Sequence, residues 1–329
     1  MSAKQTRDPE AALESTFAKD KSGKGLEVWG ILAHAVFAAF LIGLLYLGAR
    51  PGGPTPVFVF LEGRFLLALI AMLVIAIGVG TSVLRRPFLQ RGRLRSFIFV
   101  VVVFGLVNMQ FPYPSPHEGH PSLTLFELPV QEEWTVFWGG EDSESNRLAT
   151  FLPDRRFGMD LVLVEDGKCF DGDGAELEDW YCFGKAVLAP ANGVVRRVRS
   201  DSPDQLPRNY DRTEDGPVEG NVIVIETGED EYCFLAHLKQ ESLLVGVGDT
   251  VVAGQPIAEV GSSGFSAFTP MPHLALHLQD TPNPRGEAIP WRFTGYFVGT
   301  TSVGKGLPQG GVAKDGSPRG ERVSRQAAQ

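Results

Sequence analysis

The sequence predicts an all-β fold, an antiparallel β-sheet or barrel-sandwich domain, preceded by three transmembrane helices. Three observations predict it. Nearly all the uninterrupted apolar sequence lies before residue 112. From Trp134 onward, short β-rich runs alternate with Gly, Pro, Asn and Asp, the punctuation of a many-stranded antiparallel fold. In Pro272–Leu278, apolar residues alternate with His273, Ala275 and His277, the period-two pattern of a half-buried strand.

Residues 1–25 are polar, carry Lys4, Arg7, Lys19, Lys21 and Lys24, and show no apolar period. They read as a disordered cytoplasmic tail. Residues 26–111 read as a membrane anchor. Leu26–Gly48 is long and apolar enough to span a bilayer. It is also longer than a signal-peptide core and follows a polar leader, so it reads as a retained span. His34, alone inside it, is expected to pack against a neighbouring helix. Arg50-Pro51-Gly52-Gly53-Pro54 breaks the helix. A second span is expected over Phe65–Leu84 and a third over Ser96–Phe111, ended by Pro112 and Pro114. The loop between them carries Arg85, Arg86, Arg91, Arg93 and Arg95 and no acid. Cations near span ends stay in the cytoplasm, which places everything after Phe111 on the far side.

Residues 112–133 are Pro-rich and read as a linker. His117-Glu118-Gly119-His120 lies there, one residue short of the HExxH motif and in a Pro-flanked stretch that disfavours the zincin helix. Residues 134–302 form the expected β domain, with runs at Leu161–Val164, Val187–Ala189, Val194–Val198, Asn221–Glu226, Tyr232–Leu238, Ile257–Val260 and Pro272–Leu278. Residues 303–329 are rich in Gly, Ser, Lys, Arg and Gln and read as a second disordered tail. The net charge of −9 argues against nucleic acid as the main partner. Cys169, Cys182 and Cys233 lack CxxC spacing. Cys169 and Cys182 flank a short Asp/Gly-rich loop and are either bridged or two separate buried thiols.

In the Pro272–Leu278 strand, His273, Ala275 and His277 share one face. A pair of histidines two apart would make half of a zinc site, but here the intervening same-face residue is alanine. At roughly 3.3 Å per residue the His273 and His277 Cα atoms lie about 13 Å apart, too far to share an ion at about 2 Å.

The ordered pieces Trp138-Gly139-Gly140, Arg156-Phe157-Gly158-Met159-Asp160, Gly184–Pro190 with Asn192–Val195, Gly220–Glu226, Tyr232–Leu238, Val247–Gln255 with Gly261–Gly264, and Pro272–Ala275 resemble the lysostaphin/LytM-type zinc endopeptidases, which share the duplicated hybrid motif and cut peptide cross-links in bacterial cell walls. The likeness covers roughly residues 126–295. It implies a LytM/lysostaphin-type β domain on the outer side of a bacterial cytoplasmic membrane. In that family the His and Asp of HxGxD and the second His of HxH hold zinc. The first His of HxH and the His of the "HL" strand activate the zinc-bound water. Carried over, Asp160 is retained as a metal ligand, and His237 and His273 occupy the catalytic positions. Arg156 and Ala275 occupy the two lost ligand positions, and the upstream "N-x-H" of some relatives reads Asn146-Arg147-Leu148.

One carboxylate does not hold zinc, and Arg156 brings a guanidinium able to form a bidentate pair with Asp160. The resemblance thus implies a multi-pass membrane protein whose peptidase-like domain has lost zinc and activity, a pseudoenzyme that binds peptidoglycan or regulates a cell-envelope hydrolase. The alternative is an active zinc metalloendopeptidase with a rearranged site of Asp160, His273 and one of His237, His277 or His120, helped by a strand bulge at Ala275. A third class, the lipoyl or biotinyl carrier, shares the GDxVxxGQ pattern but needs a lysine at the following hairpin tip. After Lys239 the next lysine is Lys305, which excludes it.

Overall fold

The computed structural model describes residues 28–83, 91–109, 112–147, 152–206, 217–266 and 268–326. The N-terminal 25 residues, Arg85, Arg86 and Leu148 lie outside the described residues. The chain divides into two compact units, one helical and one built on β-sheet.

The helical unit contains α1 (Val28–Gly48), α2 (Pro54–Val83) and α3 (Arg91–Val107). Helix α2 starts eleven residues before the expected span and passes through a π turn at Val59–Gly63. The three helices meet at small and β-branched residues: Ala33 and Val36 of α1, Ala71 and Val74 of α2, and Val100 and Val103 of α3. The Trp29 indole donates to the Val74 carbonyl at 2.6 Å and lies against Gly78, where a Cβ would fall 2.4 Å from the ring. His34 packs its ring edge-on against Phe99 of α3. Arg64 donates to the Val107 and Met109 carbonyls, satisfying groups that the end of α3 leaves open. Among the described residues two helices, not three, are long and apolar enough to cross a membrane. Helix α3 has 17 residues, about 26 Å at 1.5 Å per residue, short of a hydrocarbon core of about 30 Å, and it opens on three arginines.

The chain is therefore mixed helical and β, with the β part in the second unit. The strands are β1 (Leu125–Phe126), β2 (Trp134–Trp138), β3 (Met159–Val162), β4 (Ala186–Leu188), β5 (Gly193–Arg199), β6 (Asn221–Gly228), β7 (Glu231–Leu238), β8 (Thr250–Val251), β9 (Pro256–Glu259), β10 (Leu274–Gln279), β11 (Arg292–Val298), β12 (Thr301–Gly306) and β13 (Arg322–Ser324). One sheet of 11 strands runs β1-β11-β13-β2-β3-β10-β7-β6-β5-β8, with β12 on β11, and β4 pairs β9 separately. Every pairing is antiparallel except β1 with β11.

Two segments expected to be loose are structural. The 112–133 stretch places Phe126, Leu128 and Val130 in the main core, with Phe126 edge-on to Trp291 at 5.0 Å. The expected tail after residue 302 supplies β12 and β13, and β13 joins β11 to β2. Its glycines permit backbone contact: a Cβ on Gly320 would fall 2.0 Å from the Val136 carbonyl oxygen. Sequence poor in apolar residues here marks close approach of chains, not disorder. All three cysteines are free and buried. Burial pushes the Cys169 and Cys182 thiols up to about 11 and 12.

Candidate functional site

The site is built where β3, β10 and β7 lie side by side. On β10, Leu274, Leu276 and Leu278 enter the main core, which turns His273, Ala275 and His277 to the other face. Ala275 is the register partner of Asp160 on β3 and of Ala236 on β7. Met159 and Leu161 enter the core, so Asp160 shares the face of Ala275.

His237 reaches that face by a different device. Cys233 and Leu235 of β7 point into the core, while Phe234 and Ala236 point away from it. Strict alternation would bury His237 in the core and expose Leu238 on the site. Instead His237 has φ +60°, and the pairing with β6 skips it, from Ala236–Val222 to Leu238–Asn221. The bulge returns Leu238 to the core and re-aims His237. A bulge lies at His237, then, where the sequence suggested one at Ala275. Its backbone groups are satisfied by the Glu219 carbonyl and the Gly261 amide, each at 3.0 Å.

The His237 and His273 rings lie 4.6 Å apart at 45°. Nδ1 of His237 faces the Ser263 carbonyl at 2.8 Å, and Nδ1 of His273 faces the Met271 carbonyl at 2.7 Å. A carbonyl only accepts, so each Nδ1 carries the proton and each Nε2 keeps its lone pair. Both Nε2 atoms are buried without a hydrogen-bond partner. The cavity they share with Ser263, Ser266 and Met271 has room for about one water molecule.

Burial pushes both imidazoles down, His237 well below the usual range. Asp160 pulls His273 the other way, but burial dominates. Both rings are neutral near pH 7. Asp160 Oδ2 accepts from the Thr269 hydroxyl at 2.5 Å and lies 3.8 Å from His273 Nε2. Thr269 follows a Ser/Gly-rich loop and carries no sequence pattern that would single it out.

Arg156 does not pair with Asp160. Its guanidinium donates to the Glu141 carbonyl at 2.5 Å, lies 3.6 Å from the Glu118 carboxylate and sits over the Phe157 ring. It lines an open cavity of about 430 Å³ with Glu118, Glu141 and Arg292. The short turn Pro153–Arg155 sets two adjacent arginines on different partners. Arg155, which the motif does not mark, is the cation that acts on His237 and His273 and, together with Arg197, on His277.

His277 stands apart from the pair. It stacks on Phe234 at 4.6 Å and 19°, and its Nε2 faces Gln279 Oε1 at 3.1 Å. The Gln279 amide donates to the Thr281 and Asn283 carbonyls, which fixes its oxygen toward His277, so Nε2 carries the proton. Burial, with Arg155 adding to it, pushes His277 down to about 3. Asn146 is buried and donates to the Gly140 and Gly158 carbonyls. His120 is exposed in a turn and does not reach the site. The metal-binding atoms of Asp160, His237 and His273 do not all lie within 4.8 Å of one another, a limit that only His117, Asp280 and Glu287 meet among the described residues.

Residues 179–285 match the model of peptidase family M23. The chain is also similar to several solved structures. For a mutant catalytic domain of the prophage-encoded M23 protein EnpA from Enterococcus faecalis, identity is 18% and TM-score 0.31, covering 50% of this chain and 94% of that one. For the catalytic domain of lysostaphin from Staphylococcus simulans, identity is 16% and TM-score 0.28, covering 48% and 88%. For the SpoIIQ–SpoIIIAH pore-forming complex, identity is 17% and TM-score 0.32, covering 51% and 89%. No curated protein matches the chain. Over residues 179–285, then, the β unit is similar to peptidase family M23.

Proposed function

We propose that this is a membrane-anchored cell-envelope protein whose M23 domain holds no zinc in its groove and serves as a peptidoglycan-binding or hydrolase-regulating module. The observation that carries this reading is Ala275. At the third ligand position stands a methyl group, 1% exposed, in an apolar cluster with Val222, Val224, Phe234 and Ala236. A methyl donates nothing to a metal, and Arg156, at the first ligand position, is turned to Glu118 and Glu141. The remaining donors do not converge, and Arg155 already acts on the histidines as a fixed positive charge, which opposes a divalent cation there. The residues present therefore do not fit the family's zinc, and no hydrolytic step is assigned to them. What the groove offers at this point is two buried imidazole acceptors with room for about one water molecule.

Membrane anchoring is supported by α1 and α2, in each of which only 22% of the apolar window is buried. A core helix of a soluble domain buries most of it. Placement of the domain outside the cytoplasm follows the arginine asymmetry of the sequence and requires α3 to cross as well.

The rival reading, an active zinc endopeptidase with a rearranged site, draws on one observation: the two unpartnered Nε2 atoms beside Asp160. Zinc analysis of the purified chain after dialysis, together with a wall-peptide cleavage assay, separates the two. The proposal expects no cleavage and no zinc that depends on Asp160. Cleavage, with zinc released by Asp160→Ala, would establish the rival.

A further inference from the structure

Away from the groove, three side chains from two distant stretches of sequence meet at the far end of β10. His117 comes from the segment before β1, Asp280 directly follows β10, and Glu287 lies in the loop leading to β11. We propose that His117, Asp280 and Glu287 form a zinc site that clips the 112–124 segment to the end of β10.

The geometry is already assembled. One ligand atom from each residue lies within 4.8 Å of the other two, and His117 Nε2 is 3.7 Å from Asp280 Oδ2. Ligands about 2.0–2.2 Å from a tetrahedral zinc lie about 3.4 Å from one another, so closure asks for small side-chain movements. The backbone holds Asp280 and Glu287 together from both sides. The Glu287 amide donates to Asp280 Oδ1 at 2.9 Å, and the Asp280 amide donates to the Glu287 carbonyl at 3.1 Å. The 112–124 segment is anchored independently: the Ser115 hydroxyl donates to the Ala288 carbonyl and accepts from the His117 amide. His117 is thus presented at a fixed place.

A second observation separates this cluster from an ordinary surface group of acids. Glu287 is 1% exposed. Its Oε1 accepts from the buried Tyr113 hydroxyl at 2.8 Å, but its Oε2 is buried with no hydrogen-bond partner. An unsatisfied buried carboxylate oxygen is costly, and a cation is the partner that removes the cost.

The donor set selects the metal. One imidazole nitrogen and two carboxylates suit zinc or a similar divalent transition ion, whereas calcium takes six to eight oxygens. His117 and Asp280 are partly exposed, so the remaining coordination position faces solvent and takes water. Two carboxylates and a neutral imidazole offset the charge of the ion. Held this way, the site is a structural clip.

The test uses the purified full chain, stripped of metal and titrated with Zn²⁺ alone. About one zinc per chain is expected after dialysis, with a raised thermal midpoint, because a ligand that binds only the folded state stabilises it. His117→Asn and Glu287→Gln should each weaken zinc binding more than tenfold and abolish the midpoint shift, while Asp160→Ala leaves both unchanged. Substituted Co²⁺ should give X-ray absorption with one imidazole and otherwise oxygen neighbours. Glu287→Gln keeps the size and the Tyr113 contact. His117→Asn lies at a partly exposed position, so a folded variant is available even if the buried one fails. Absence of zinc overturns the proposal, as does zinc retained in the folded variants. Zinc lost in Asp160→Ala would assign the ion to the groove, overturning this site and the function proposed above together, whereas loss confined to the His117 and Glu287 variants upholds both.

Discussion

Acid should destabilise the β unit, and His277 provides the cleanest measure of the effect. Its imidazole, stacked on Phe234, is held down to about 3 from an ordinary 6.5. Between those values the unfolded chain binds a proton that the folded chain refuses. Stability is therefore full above about 6.5 and falls with pH until the folded imidazole titrates. Each pH unit costs about 1.4 kcal/mol per histidine, so His277 alone costs about 2 kcal/mol between pH 6.5 and 5. That is a large part of a domain stability of about 5–15 kcal/mol. His237 and His273 act in the same direction. Glu287, raised to about 7 from 4.5, acts oppositely, because there the folded state binds the extra proton. The comparison that isolates His277 is His277→Gln, which keeps a donor toward Gln279 but does not titrate. Urea unfolding followed by tryptophan fluorescence suits the purified chain, since Trp134, Trp138, Trp180 and Trp291 belong to the β unit and only Trp29 to the helices. The unsubstituted chain should lose about 2 kcal/mol more than His277→Gln between pH 7 and 5. Equal losses in the two chains would refute the reasoning.

Joint replacement of Arg156 and Ala275 by His should create zinc binding that depends on Asp160, whereas either replacement alone should add little; elemental analysis after dialysis reads the result. Phe126→Ala should cost about 3–5 kcal/mol in urea unfolding, because its ring is fully buried against Trp291 and Phe293; a cost near zero would return the 112–133 stretch to the status of a linker. A reporter fused after Phe111 should be active only outside the cytoplasm, which requires α3 to cross despite its length, and neutralising Arg85, Arg86, Arg91, Arg93 and Arg95 should weaken that preference. Activity only on the cytoplasmic side would fit two crossings by α1 and α2.

Residues whose environment follows from local period were legible in the sequence. Leu274, Leu276 and Leu278 fall in the core and Ala275 beside Asp160 because alternation along β10 is unbroken. Alternation along β7 fails at its last two residues, since one left-handed backbone angle at His237 reverses the faces. Nothing in Ala236-His237-Leu238 announces that reversal. The two arginines before Phe157 were distinguishable only by their partners, because Glu118, Glu141 and the histidines come from elsewhere in the chain. Strand β13 was invisible for another reason: it contributes three residues and one buried valine, and its place is secured by backbone pairing that composition does not encode.

That short strand sets the order in which the domain can be assembled. Val323 pairs with Trp134 on one side and Val298 on the other, and among the described strands β13 is the one that joins β11 to β2. Until residues 322–324 have been made and paired, β2 and β11 each present an unpaired edge, which is a template for wrong partners. The helices before them are by then long finished. Synthesis therefore leaves a chain waiting with an open seam, and the interval before the seam closes is when this protein most needs protection from its neighbours.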